Sequence, residues 1–109
     1  MMRHPLTLQE IICWYRSKKL ALAGSDVSIV DIRERTDDIP AAAADFRTPK
    51  TMGRINGWVT GEFDFEAVRV PDGEDLFWHH ASVQRFEALE ETYDKFLQCM
   101  SNSGKVAGP

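Results

Sequence analysis

The stretch from Gly53 to Val70 constrains this chain most. Ile55, Gly57 and Val59 fall on one side of an extended backbone and Arg54, Asn56, Trp58 and Thr60 on the other. Beyond Gly61, the apolar residues Phe63, Phe65 and Ala67 alternate with Asp64 and Glu66. A period of two is that of a strand with one buried face. Two such runs meeting at a glycine predict a hairpin that turns near Gly61. A second turn follows at Pro71-Asp72-Gly73-Glu74, where Pro supplies a φ near −65° and Gly tolerates a positive one, so another strand returns through Leu76 to His80.

Upstream of Gly53, Val27, Ile29, Val30 and Ile32 are β-branched and interleaved with Asp31 and Arg33, which predicts a strand. The doubled apolar pair at 29 and 30 breaks the alternation, and a bulge or burial on both sides would account for it. Thr36 to Pro40 carries turn chemistry, and Ala42, Ala44 and Phe46 then alternate with Asp45 and Arg47 in a second strand. The alanine run by itself would also suit a helical turn.

Helices bracket the strands. Thr7 and Glu10 form a capping box, each able to satisfy an amide that a helix start leaves unpaired. Leu8, Ile11, Ile12, Tyr15 and Leu22 then recur on one stripe, with Gly24 placed to end the helix. Trp14 lies off that stripe, to flank the core or to face a partner. At the other end Ser82 is expected to cap a closing helix whose inner face is Phe86, Leu89, Tyr93, Phe96, Leu97 and Met100. The expected fold class is α+β. An antiparallel sheet of about five strands is flanked by an N-terminal and a C-terminal helix packed on one face. Residues 1–100 form the single domain and 101–109 a flexible C-terminal tail.

A chain of 109 residues has room for one such core, and 43% hydrophobic with 28% charged residues is an ordinary globular balance. No apolar segment follows Met1–Pro5 and no run approaches a membrane span, so a cytoplasmic location without membrane association is expected. Cys13 and Cys99, without CxxC spacing, read as free thiols. Residues 1–55 hold nine Lys/Arg against seven Asp/Glu, giving +2, whereas residues 56–109 hold four against ten, giving −6. An acidic surface repels phosphate backbones and attracts basic protein faces, which disfavours nucleic acid and favours a protein partner with a basic surface or cleft.

No constellation for catalysis stands out. His79 and His80 are neighbours on a strand and point to opposite faces, so they do not share a metal ion; no metal and no cofactor is implied. Neither cysteine is brought beside a histidine, and Asp64 with Glu66 has the spacing of a solvated strand as much as of an acid–base pair. The glycines precede no Lys-Ser or Lys-Thr, so they form no phosphate loop. What rises above background lies between residues 62 and 75: six acids, Glu62, Asp64, Glu66, Asp72, Glu74 and Asp75, against Arg69 alone, with Trp58 and Trp78 on adjoining strands. Aromatic anchors within a charged rim make a protein interface. The same acids would also keep a strand edge soluble.

The run Gly53 to Glu66, the Trp78-His79-His80 strand and the closing helix resemble the small bacterial immunity proteins of the TriTu type. The likeness starts at the Trp14-Tyr15 helix and spans nearly the whole chain. The Trp, Gly and acid of that family's pattern correspond to Trp58, Gly61 and Glu62, with Val59-Thr60 where a Glu-Ser pair is usual. The resemblance implies a non-enzymatic antitoxin encoded beside an Rhs toxin of type VI secretion, an ADP-ribosyltransferase that modifies elongation factor Tu. It further implies occlusion of that toxin, with the six acids as electrostatic rim and Trp58 and Trp78 as anchors. The competing reading is a small acidic adaptor or homodimerising domain that uses the same surface.

Overall fold

The computed structural model describes residues 4–102. The chain runs α1 (Leu8–Ala21), β1 (Ser28–Arg35), β2 (Ala41–Arg47), β3 (Thr51–Trp58), β4 (Glu62–Arg69), β5 (Asp75–Ser82), a 3₁₀ turn (Phe86–Leu89) and α2 (Glu90–Asn102). The five strands form one antiparallel sheet in chain order, β1-β2-β3-β4-β5. Each connection is a short turn between neighbours, the cheapest topology for a chain of this length. The expected α+β class and its strand count are observed.

Both helices lie on the same side of the sheet, α1 over β1 to β3 and α2 over β3 to β5. The capping box forms as expected: the Thr7 amide donates to Glu10 Oε1 at 2.9 Å and the Glu10 amide to Thr7 Oγ1 at 3.1 Å. Between helices and sheet sit Ile11, Tyr15, Phe46, Ile55, Phe63, Phe65, Leu89, Phe96 and Met100, all essentially without solvent contact. The Tyr15 hydroxyl reaches through this layer, donating to the Ala42 carbonyl at 2.8 Å with the Ile55 carbonyl at 3.3 Å. It thereby pins α1 to β2 and β3, and burial pushes its pKa far up.

Trp14 settles on the core side. It is buried, stacks on Phe86 at 5.6 Å between ring centroids, meets Tyr93 edge-on at 5.4 Å, and donates from its indole to Glu90 Oε2 at 3.1 Å. Lys18 binds Glu90 Oε1 at 2.5 Å and lies over the Trp14 and Tyr93 rings. This cluster joins α1 to α2 at their contact, where a wide indole fills the gap that two helices leave above a flat sheet.

Three expectations are corrected or sharpened. Ser82 caps no helix: it is the last residue of β5, paired with Glu62, and its hydroxyl donates to Glu62 Oε2 at 2.7 Å. The closing helix begins instead as the 3₁₀ turn after Arg85, without a side-chain cap. The doubled apolar pair of the first strand is a β-bulge, with the register shifting between Ile29 and Asp31 and Val30 turned out to solvent. Ser101 and Asn102, expected in the tail, belong to α2, and the rest of the expected tail lies outside the described residues. Gly61 adopts φ +93°, and a Cβ there would run into the Val83 carbonyl. The hairpin therefore turns where the sequence placed it, at a residue only glycine can supply.

Candidate functional site

With both helices on one side, no described element covers the other face of the sheet. Cross-strand register lays its side chains out in rows. One row runs Asp31, Asp45, Arg54, Glu66, Trp78; the next Arg33, Ala43, Asn56, Asp64, His80; a third holds Arg35, Ala41 and Trp58 on β1 to β3 and the pair Glu62 and Ser82 on β4 and β5. A shorter row at the far end holds Arg47, Met52 and Val68. Glu62, Asp64 and Glu66 share this face because they alternate with Phe63, Phe65 and Ala67, whose burial fixes the strand's orientation.

Five of the eight residues singled out from sequence meet here: Trp58, Glu62, Asp64, Glu66 and Trp78. Trp58 is half-buried, whereas Trp78 is 69% exposed on the edge strand, unusual for a tryptophan in a folded chain. Asp72 and Glu74 are placed apart from them. Asp72 and Glu74 form the β4–β5 turn and both pair with Arg69. Asp75 opens β5 opposite Val68, two residues along β4 from Glu66 (about 7 Å) and six from Glu62 (about 20 Å).

Charge pairing organises the face. Asp45 is gripped from both sides, by Arg33 Nη2 at 2.9 Å and by Arg54 Nε at 2.7 Å. That bond and the nearby Glu66 hold the Arg54 pKa above its ordinary value. His80 lies between two carboxylates, Nδ1 2.5 Å from Asp64 Oδ1 and Nε2 2.7 Å from Glu62 Oε1. Hydrogen bonds donated to Asp64 first and Glu62 second raise its pKa. Glu62 moves the opposite way, lowered by the Ser82 hydroxyl and then by His80. In the imidazolium form both ring nitrogens donate, and the cluster becomes a carboxylate–imidazolium–carboxylate bridge across β4 and β5.

Two hollows lie on the same face. One of about 310 Å³ is lined by Val30, Met52, Val68, Arg47, Arg54 and Glu66, an apolar patch within charge. The other, of about 490 Å³, is lined by Ala41, Ala43, Arg33, Glu34, Arg35, Arg54 and Trp58. The sequence reading did not assemble these residues, nor His80 and Ser82, into the face. Their signal was the shared parity of Arg54, Asn56 and Trp58; what it lacked was the register that brings β1 and β2 beside them.

His79 pairs opposite Phe65 on the helix-covered side, so the two histidines do point apart. Among the described residues no three His, Cys, Asp or Glu side chains are arranged to hold a metal ion, and no helix is long and apolar enough to cross a membrane. Cys13 and Cys99 are free thiols. In chemical terms the face offers ion pairs, one exposed indole and two open hollows, the ingredients of a surface contact.

Comparison with known proteins agrees with the resemblance seen in the sequence. The family model for the immunity protein TriTu matches residues 9–99. No curated protein matches the chain.

Proposed function

Because the chain belongs to the TriTu immunity protein family, whose role is toxin neutralisation, we propose that it disarms its cognate toxin by laying the open sheet face over that toxin's active site or target-binding surface. The toxin is an ADP-ribosyltransferase of an Rhs, type VI-delivered system, met in the cytoplasm, and the chain acts by binding rather than by catalysis. The observation that carries this reading is the uncovered face itself, with Trp58, Glu62, Asp64, Glu66 and Trp78 on neighbouring strands. An ADP-ribosyltransferase must hold the pyrophosphate of NAD with cationic groups. Carboxylates aligned along a rigid strand are suited to pair with them and to exclude the cofactor.

Co-expression of the chain with its toxin domain tests the proposal, scoring bacterial survival and recovery of a stoichiometric complex. Survival with a complex is expected. Combined Glu62→Lys, Asp64→Lys and Glu66→Lys substitutions should abolish protection while the purified variant keeps its helical circular dichroism. Failure of the unaltered chain to protect refutes the immunity role for this toxin; protection undiminished in the triple variant removes the acids of β4 from the contact.

A further inference from the structure

The open face is not uniformly acidic. Its β1 to β3 side carries Arg33, Arg35, Arg47 and Arg54 against Asp31 and Asp45, whereas its β4 and β5 side carries Glu62, Asp64 and Glu66 against His80. The pairing within each half leaves a surplus of the majority sign. Asp45 is shared between Arg33 and Arg54, Arg35 meets only Asp37 at 4.0 Å, and Arg47 has no ion pair among the described residues. The middle of the first half, β2, and the midline between β4 and β5 are two and a half strand spacings apart, about 12 Å. That exceeds the Debye length of about 8 Å in physiological salt, so an approaching surface meets two separate fields rather than their cancelled sum.

We infer that the partner surface is dipolar. It presents one or more carboxylates to the hollow lined by Ala41, Ala43, Trp58 and three arginines, Arg33, Arg35 and Arg54, that outnumber its one acid, Glu34, and lysines or arginines to Glu62, Asp64 and Glu66. The inference rests on the immunity reading and deepens it, replacing a simply basic contact surface by one of opposed polarity that also fixes the orientation in which the two proteins dock. Alanine methyls in the hollow's lining leave room for a carboxylate between the guanidinium groups, whose forked donors bind it in two-point fashion. A nucleic acid does not fit, since its uniform phosphate charge would be repelled by the β4 acids.

Calorimetric titration of the purified chain with the purified toxin domain tests this. Two paired variants are compared with the unaltered chain: Arg35→Glu with Arg47→Glu, and Glu62→Lys with Glu66→Lys. These side chains are surface-exposed or half-exposed, and thermal melts check that each variant stays folded. Each pair should weaken binding roughly tenfold or more at low salt, less at high salt. Filling the hollow by Ala43→Trp should weaken it as well. Loss confined to the acid pair, with the arginine pair and Ala43→Trp binding as well as or better than the unaltered chain, overturns the dipolar contact and leaves a basic one. An unaltered chain that binds no toxin overturns the immunity reading itself, a result distinguishable from the first.

Discussion

Replacing Tyr15 by phenylalanine separates what holds the fold from what the open face does. The Tyr15 hydroxyl is fully buried, 2.8 Å from the Ala42 carbonyl and 3.3 Å from that of Ile55. Phenylalanine keeps the ring and its packing, so no cavity larger than an oxygen atom opens; the loss is the hydrogen bond. A net hydrogen bond contributes about 1 kcal/mol, and the two carbonyls lie within paired strands, so the expected cost is about 1 kcal/mol. For a domain of this size the melting temperature should fall by roughly 4–8 °C per kcal/mol. Urea denaturation reads the effect directly, as a lower midpoint with an unchanged slope. Toxin affinity, measured where both proteins are fully folded, should not change, because Tyr15 lies on the helix side of the sheet. A midpoint identical to that of the unaltered chain would refute the bonding role. Weakened toxin binding at unchanged stability would refute the assignment of the contact to the opposite face.

The second buried phenol provides the contrast. The Tyr93 hydroxyl has no hydrogen-bond partner among the described residues, so Tyr93→Phe should leave the urea midpoint unchanged or raise it, and a clear loss would reveal a partner for that hydroxyl. Gly61→Ala should cost about 1–3 kcal/mol in the same melts, since it forces a side chain into the left-handed region and against the Val83 carbonyl; an unperturbed melt would contradict the turn geometry. The His80 cluster predicts a pH dependence. His80 has a raised pKa, so its contribution is fully present below its ordinary value of 6.5 and fades as pH climbs through the raised one; Glu62, lowered, contributes above its ordinary 4.5 and loses this as pH falls through the lowered value. Together they favour the fold most between those two ordinary values. NMR titration should show His80 titrating above 6.5 and shifting down in Asp64→Asn, and no shift would dissolve the bridge.

Much of this architecture was legible because strand parity is a local property. Phe63, Phe65 and Ala67 declare a buried side within a few residues, and Glu62, Asp64 and Glu66 are then placed on the other. The capping box, the turn at Gly61 and the bulge near Val30 are equally local. What the chain order conceals is anything set by distant elements. Trp14 is off the apolar stripe of its own helix, and its burial depends on Phe86, Tyr93 and Glu90, more than seventy residues away. Ser82 looks like a cap to a local reading, yet Glu62, twenty residues upstream, claims its hydroxyl. The six acids form one cluster in sequence, but three lie beyond a turn and at the far end of β4. The arginines of β1 and β2 join the face only through a register that no single segment specifies.

Placing both helices on one side leaves the opposite face to stay soluble by its own side chains, and this requirement shapes the site. A flat array of one sign would strain the sheet by repulsion between neighbouring strands, and an apolar array would aggregate. The arrangement observed alternates sign across strands, Arg33 and Arg54 about Asp45 and Glu62 and Asp64 about His80. Exposed pairs of this kind contribute only about 0–1 kcal/mol each to stability. A partner that offers matching charges therefore displaces little on docking, while its own ion pairs strengthen as water leaves the contact. Under the proposed contact, a partner of the wrong polarity would meet like charges at both ends. If the toxin docks on this face as proposed, the devices that keep it in solution also select what covers it, and affinity for the toxin and stability of the fold should respond to different residues.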